Sequence, residues 1–363
     1  MNWLWIFLGF CLLIMLHEAG HYVAAKATGM RVERFFLFFG PTIWSFKKGE
    51  TEYGVKAIPL GGYVKITGMN PEEEIPPEVA HRAYYRQPVW KRIVVIAAGP
   101  AVNIVLAFAI LFAVYTIGVP RVDQSVGEIR SGTPAAKALQ PGDEVLAVDG
   151  HGFRGSSLND RLVKFGKQVG SHECAGEQVD GCLASTPAEL KIRRDGTIRT
   201  ISVRPRYDKE AKRALVGFSY GSEPVSFGPA AAARESLDAM WAVASGTVHV
   251  FAHIFESEER KEISGVVGTS DVANQVIDVG IAPALLLLAL VSLSLGLINL
   301  LPILPLDGGH IFWSLVEKVR GEPVSLRVME RASMIGFALV AMLFFIGLSN
   351  DLGRIGGEGF NVR

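Results

Sequence analysis

Two histidines and a glutamate stand together at His17-Glu18-Ala19-Gly20-His21, an HExxH pattern. On a helix of ~3.6 residues per turn, positions four apart differ by only about 40°, so both imidazoles can reach one metal ion. Zinc is the metal such a pair takes, one per chain, and Glu18 is placed to accept a proton from an activated water. Zinc usually takes a third protein ligand and keeps its fourth position open. Asp307 is the candidate, in the run Asn299-Leu300-Leu301-Pro302-Ile303-Leu304-Pro305-Leu306-Asp307-Gly308-Gly309-His310. Two prolines and two glycines there break a helix directly after an apolar run. His310 competes as a ligand by type, but reads more easily as a group behind the metal or in packing.

The elements that must hold these residues are apolar. The chain has 363 residues, 49% hydrophobic and 20% charged, with a mean hydropathy of +0.29. Soluble domains carry about 25% charge. Four runs can cross a bilayer: about 3–25, which includes the HExxH motif, about 93–119, about 281–301 and about 332–350. Ionisable groups inside a span are expensive and functional by default, which raises the weight of His17, Glu18 and His21. Residues 1–25 do not read as a cleaved leader, because no Lys or Arg precedes the apolar run. With 36 Lys+Arg against 36 Asp+Glu, nucleic acid is excluded as a partner. Three cysteines exclude a disulfide scaffold.

Positive charge sets the orientation. Residues 26–92 carry 11 Lys and Arg, and the 302–331 connection adds Lys318, Arg320, Arg327 and Arg331. Both connections therefore belong in the cytoplasm and both termini outside, with the active site near the cytoplasmic side. The expected address is a bacterial plasma membrane. Residues 120–280 then lie outside, and from Val126 to Val203 they read as short strands and turns. Pro141-Gly142-Asp143 is a turn, Glu144–Val148 a strand, and Ser157 a cap for a helix over Leu158–Val169. Asp195-Gly196 marks a hairpin. Cys174 and Cys182 lie in an apparent insertion, where a local disulfide suits the compartment. Over 234–256 the residues Leu237, Met240, Trp241, Ala244, Val248, Phe251 and Phe255 make one apolar helical face for the outer membrane surface. His249 and His253 are also four apart, but Val250 stands where a zincin has its glutamate, so a solvated pair is the better reading.

Ser131-Gly132-Thr133-Pro134-Ala135-Ala136, followed by Leu139 to Gly150, resembles a PDZ domain of the bacterial protease-associated type. HExxH in the first span, Gly99-Pro100-Ala101-Val102-Asn103 in the second, Ile263-Ser264-Gly265-Val266-Val267-Gly268 before the third, and the Asn299-to-Asp307 stretch together resemble the bacterial site-2 protease family. The closest subgroup is the regulator of sigma-E protease type, here with one PDZ rather than two. The resemblance covers nearly the whole chain. It implies an α-helical integral membrane protein with four transmembrane helices, a membrane-associated β-hairpin or sheet, and an inserted α+β PDZ domain. The domains are then 1–119 (with the hairpin at 36–67), 120–208 for the PDZ, 209–280 as an outer linker, and 281–363. It implies zinc held by His17, His21 and Asp307, with Glu18 as catalytic base. It also implies hydrolysis within the transmembrane segment of a single-span protein, an anti-sigma factor or a signal-peptide remnant. The second proline falls one place later than the family pattern, at Pro305, while the Asn299-to-Asp307 spacing is kept.

A helix hides its peptide bonds, so such a substrate must be unwound. Tyr53 to Ile66 reads as a sheet whose edge, at Gly61, Gly62 and Tyr63, pairs with the extended substrate. Asn299 is expected to bind substrate backbone or the oxyanion, and Asn103 to do likewise or to link helices. The competing class is a catalytically inactive scaffold that recruits partners through its PDZ; that would be marked by loss of Glu18 or a ligand, and none is lost.

Overall fold

The computed structural model describes residues 2–70, 73–152, 158–209, 211–253, 256 and 265–355. Ser157, Phe255, Ile263 and Ser264, named above, lie outside the described residues. The chain divides into two compact units, Met1–Ile117 with Phe227–Arg363, and Gly118–Ser226.

In the first unit, helix α1 (Asn2–Ala27) leads into strands β1 (Val32–Lys48) and β2 (Thr51–Ile66), then helix α2 (Val89–Ile117). The sheet starts four residues before the expected 36, because Val32 and Ile66 pair at its buried end. Arg34–Leu37 has Gly62–Lys65 on one side and Glu52–Val55 on the other, so Gly62–Ile66 has one strand neighbour among the described residues. Met30, Val32, Ile66, Tyr84, Val95 and Ile96 form the core beneath it.

The second unit comprises β3 (Val119–Ile129), α3 (Ala135–Ala138), β4 (Glu144–Val148), β5 (His151–Gly152), α4 (Leu158–Gly170), β6 (Ala188–Arg194), β7 (Thr197–Val203), β8 (Arg206–Asp208), β9 (Arg213–Leu215) and β10 (Phe218–Val225). Its main sheet runs β10-β3-β4-β6-β7, with β5 on β4, around Val145, Val148, Leu190, Ile192 and Val203. Asp195 and Gly196 turn the β6–β7 hairpin with φ of 50° and 75°, as that dipeptide requires. At the Pro141-Gly142-Asp143 turn, Asp143 accepts the Gln140 amide and a two-pronged pair from Arg194. Burial pushes its carboxyl up, but Arg194 and the Gln140 amide together hold it below the usual range. Cys174 and Cys182 are joined in a disulfide. The unit extends to Ser226 rather than 208, because Phe218–Val225 returns to pair with β3.

The first unit resumes with α5 (Pro229–Ala252), α6 (Val266–Val279), α7 (Ile281–Asn299), α8 (Asp307–Arg320) and α9 (Leu326–Ile355). Leu237, Trp241 and Val248 of α5 stay exposed, while Ala232 and Ser236 are buried. At the start of α6, the buried Asp351 of α9 accepts the amides of Gly265 and Gly268. Among the described residues, four helices are long and apolar enough to cross a membrane: Leu4–Ala27, Val89–Ile117, Ile281–Asn299 and Arg327–Gly353. They have 19 to 29 residues, roughly 28–44 Å of helix against a hydrocarbon core of about 30 Å. Large side chains on them, such as Val105, Met334, Ile335 and Phe345, remain over 60% exposed to surroundings that must be apolar.

Candidate metal centre and active site

Three side chains converge where α1, α2 and α8 meet. His17 Nε2 and His21 Nε2 lie 3.2 Å apart, and Asp307 Oδ2 lies 3.1 Å from the first and 3.3 Å from the second. Both histidines are 7% exposed. Ligands at ~2.0–2.1 Å on a tetrahedral zinc stand about 3.3 Å apart, so the triangle has the edge length that zinc would impose.

Proton placement sharpens the fit. His21 Nδ1–H donates to the Val95 carbonyl at 2.8 Å, which leaves Nε2 with its lone pair. His17 Nδ1 lies 3.3 Å from the side-chain amide of Asn103, whose Oδ1 is buried without a partner. Turning that amide over gives the orphaned oxygen the His17 Nδ1–H and leaves His17 Nε2 bare as well. Asp307 Oδ2 is likewise buried without a hydrogen-bond donor. Three lone-pair atoms would then face one another at 3.1–3.3 Å, an arrangement that repels unless a cation sits among them. Among the described residues, these three are the group of His, Cys, Asp and Glu side chains able to hold a metal.

Helix α2 shapes this pocket. At Gly99 a Cβ would collide with His21 Nε2 and come within 2.9 Å of His17 Nε2, so glycine is needed there. Pro100 follows inside the helix, where its missing N–H leaves the carbonyl four residues back without a helical partner. Asp307 opens α8, where a negative charge suits the helix N-terminus. Cβ atoms at Gly308 and Gly309 would strike the backbone of Leu300–Leu301 and Ile303–Leu304, which explains the paired glycines after it.

Glu18 is half-buried beside this group, and the Val64 amide of β2 faces its carboxylate. A Cβ on Gly62 would lie 2.9 Å from Glu18 Cγ, so the sheet passes directly against the helix that carries the HExxH residues. Gly61 has φ of 126°, and the Tyr63 ring stacks on Phe36 and Phe39. Asn299 is the last residue of α7. Asn103 is fully buried and its carbonyl accepts from Ser292 of α7 at 2.9 Å, so it is enclosed behind His17 rather than open to a substrate. Linking helices was one of the two roles expected of Asn103; that it links to His17 was not legible, because one asparagine in an apolar run does not show which neighbour it faces.

Such a donor set, an HExxH helix with a distant aspartate beside it among long apolar helices, fits a zinc site that keeps one position open for water. The chain belongs to peptidase family M50, whose model matches residues 5–343, and it is a zinc metalloprotease. The zinc metalloprotease Rip1 of Mycolicibacterium smegmatis is 32% identical over 360 residues, covering 89% of this chain and 87% of that protein. Rip1 of Mycobacterium tuberculosis H37Rv is 33% identical over 366 residues, with 89% and 87% covered. The regulator of sigma-E protease RseP of Escherichia coli K12 is 29% identical over 439 aligned positions, with 94% and 96% covered.

Proposed function

We propose that the protein is an intramembrane endopeptidase that cuts within the transmembrane segment of a single-span protein, with His17, His21 and Asp307 holding zinc. The observation that carries this reading is the place of the site: the HExxH residues lie inside a helix long enough to span the membrane, and their third partner follows another such helix. Zinc held by these residues would supply Lewis acidity, lowering the pKa of a water and polarising the scissile carbonyl. Glu18 accepts the proton from that water and returns it to the leaving amine. The edge of β2 at Gly62–Ile66 pairs with the unwound substrate and brings its carbonyl to Glu18; that it has one strand neighbour among the described residues supports this. Asn299, ending α7, contacts the substrate backbone. The substrate class is an anti-sigma factor or a signal-peptide remnant, in keeping with the regulator of sigma-E protease among the relatives. The address is a bacterial plasma membrane, termini outside and the site near the cytoplasmic face.

The unit Gly118–Ser226 is the PDZ domain in this reading. Its support is the edge strand β10 beside α4, with Phe165 edge-on to Phe218 and Tyr220 at 5.5 and 5.7 Å. It either pairs with an extended peptide or keeps bulky outer domains from the membrane. The test is zinc per chain in detergent-purified wild type, His17→Ala and Asp307→Ala, beside cleavage of a transmembrane peptide. About one zinc in the wild type, lost in both variants together with cleavage, is expected. Zinc retained by Asp307→Ala alone would remove Asp307 from the ligand set.

A further inference from the structure

Arg92 of α2 is 8% exposed and forms a two-pronged ion pair with Glu317 of α8, Nη1 to Oε2 at 2.9 Å and Nη2 to Oε1 at 2.5 Å. The catalytic scheme above makes no use of it. Its place on both helices is informative. On α2, Arg92, Val95, Gly99 and Asn103 follow at intervals of three, four and four, one face of a helix. Val95 fixes His21, Gly99 leaves room for both imidazoles, and Asn103 backs His17. On α8, Asp307, His310, Ser314 and Glu317 follow at three, four and three, again one face. The first of these is the third donor, and the last is Arg92's partner. About 15 Å of helix separates them at ~1.5 Å per residue.

We infer that Arg92 and Glu317 are positioning residues that fix the axial register of α8 on α2 and so deliver Asp307 to His17 and His21. A forked guanidinium–carboxylate pair is planar and tolerates little sliding, unlike apolar packing. Its Arg92 half is buried, with the guanidinium 5.9 Å from the centre of the buried Tyr84 ring, and its Glu317 half is half-buried. Near the donor end, Gly308 and Gly309 press under the Leu300–Leu304 backbone, leaving α8 held at both ends. The inference rests on Asp307 being a zinc ligand, and the experiment separates the two.

Detergent-purified full-length apoprotein would be titrated with zinc against a chromophoric chelator, and with cobalt(II) to record its visible bands. Wild type, Asp307→Ala, Arg92→Gln, and the exchanged pair Arg92→Glu with Glu317→Arg would be compared, with helicity by circular dichroism as the folding control. Arg92→Gln is expected to keep its helicity, bind zinc about 10–100-fold more weakly, and show cobalt bands shifted towards those of Asp307→Ala. The exchanged pair is expected to recover the wild-type bands. Wild-type zinc affinity and bands in folded Arg92→Gln would overturn the positioning role while leaving Asp307 as ligand. Wild-type affinity and bands in Asp307→Ala would overturn the ligand reading itself, and the positioning role with it. If Arg92→Gln does not fold, the exchanged pair decides: wild-type bands support the role, and the Asp307→Ala bands in a folded protein refute it.

Discussion

A single carbon atom placed on Gly99 would enter the space into which the two imidazoles project. Neither ring is free to retreat, because Val95 holds His21 and Asn103 backs His17. Gly99→Ala should therefore lose its zinc and cleave at least about 100-fold more slowly, since misplacement by an ångström already costs that much. Metal analysis of the folded variant checks this. Gly20→Ala is the contrast: its Cβ would come 2.5 Å from the Ala98 carbonyl, crowding α1 against α2 away from the donor atoms. Glu18→Gln separates binding from chemistry at the same site. It should keep its zinc and its melting temperature while hydrolysis falls about 10²–10⁴-fold, the usual worth of a general base; loss of zinc would instead place Glu18 in the metal's own support. That His17 and His21 share a helix face was legible in their spacing, a local property. The company of Asp307 was legible only indirectly, through its place after an apolar run, the helix breakers around it and the family resemblance. Asn103 as a support for His17 was not legible, because it depends on how two spans lie against each other.

Elements inherit the same division between local and distant causes. The four spans and the β6–β7 hairpin announce themselves through apolar length and Asp195-Gly196. Helix α6 does not, since the groups that satisfy its first amides are on Asp351, more than 80 residues away. Strand β10 was hidden for a similar reason: its partner, β3, lies about a hundred positions earlier, and no turn links them. The sheet β1–β2 adds a testable attachment. At its turn, Glu50 bonds Arg82 at 2.7 and 2.8 Å and Lys26 at 2.5 Å, tying it to the end of α1 and to the connection before α2. Arg82 and then Lys26 lower the Glu50 carboxyl to about 2 from its ordinary 4.5. A folded value below the unfolded one means this contribution is complete above about pH 4.5 and fades as pH falls towards 2. Glu50→Gln should lower the melting temperature near neutrality and flatten its dependence between pH 5 and 3. Equal slopes for variant and wild type would show the attachment to be incidental. Closer to the chemistry, Val64→Pro should leave zinc in place but stop cleavage, because it removes the amide facing Glu18 from the strand edge. Intact cleavage would exclude pairing of substrate with that edge.

At the scale of the whole chain, the second unit is an insertion whose points of departure and return are already joined. The Phe227 amide donates to the Tyr115 carbonyl at 2.9 Å, and their rings meet edge to face at 5.9 Å. Within the inserted unit, Val119 pairs with Val225, so its two ends also run side by side. Each unit keeps a separate core, Met30, Val32, Ile66 and Val95 in one and Val145, Leu190 and Ile192 in the other. Units with their own cores and adjacent ends tolerate excision. Replacing 118–226 by about four glycine and serine residues, a length ordinary for a short connection, should leave a folded protein. The shortened protein should hold one zinc and cleave a bare transmembrane peptide at a rate within about fivefold of the full chain, because the three candidate donors, His17, His21 and Asp307, all lie in the first unit. Zinc lost from an otherwise helical product would show that the insertion sustains the site after all. The same protein distinguishes the two uses of the unit. If it screens by bulk, the shortened form gains cleavage of substrates that still carry a folded outer domain. If it captures an extended peptide at β10, the shortened form loses its preference for substrates bearing that peptide and gains nothing against bulky ones.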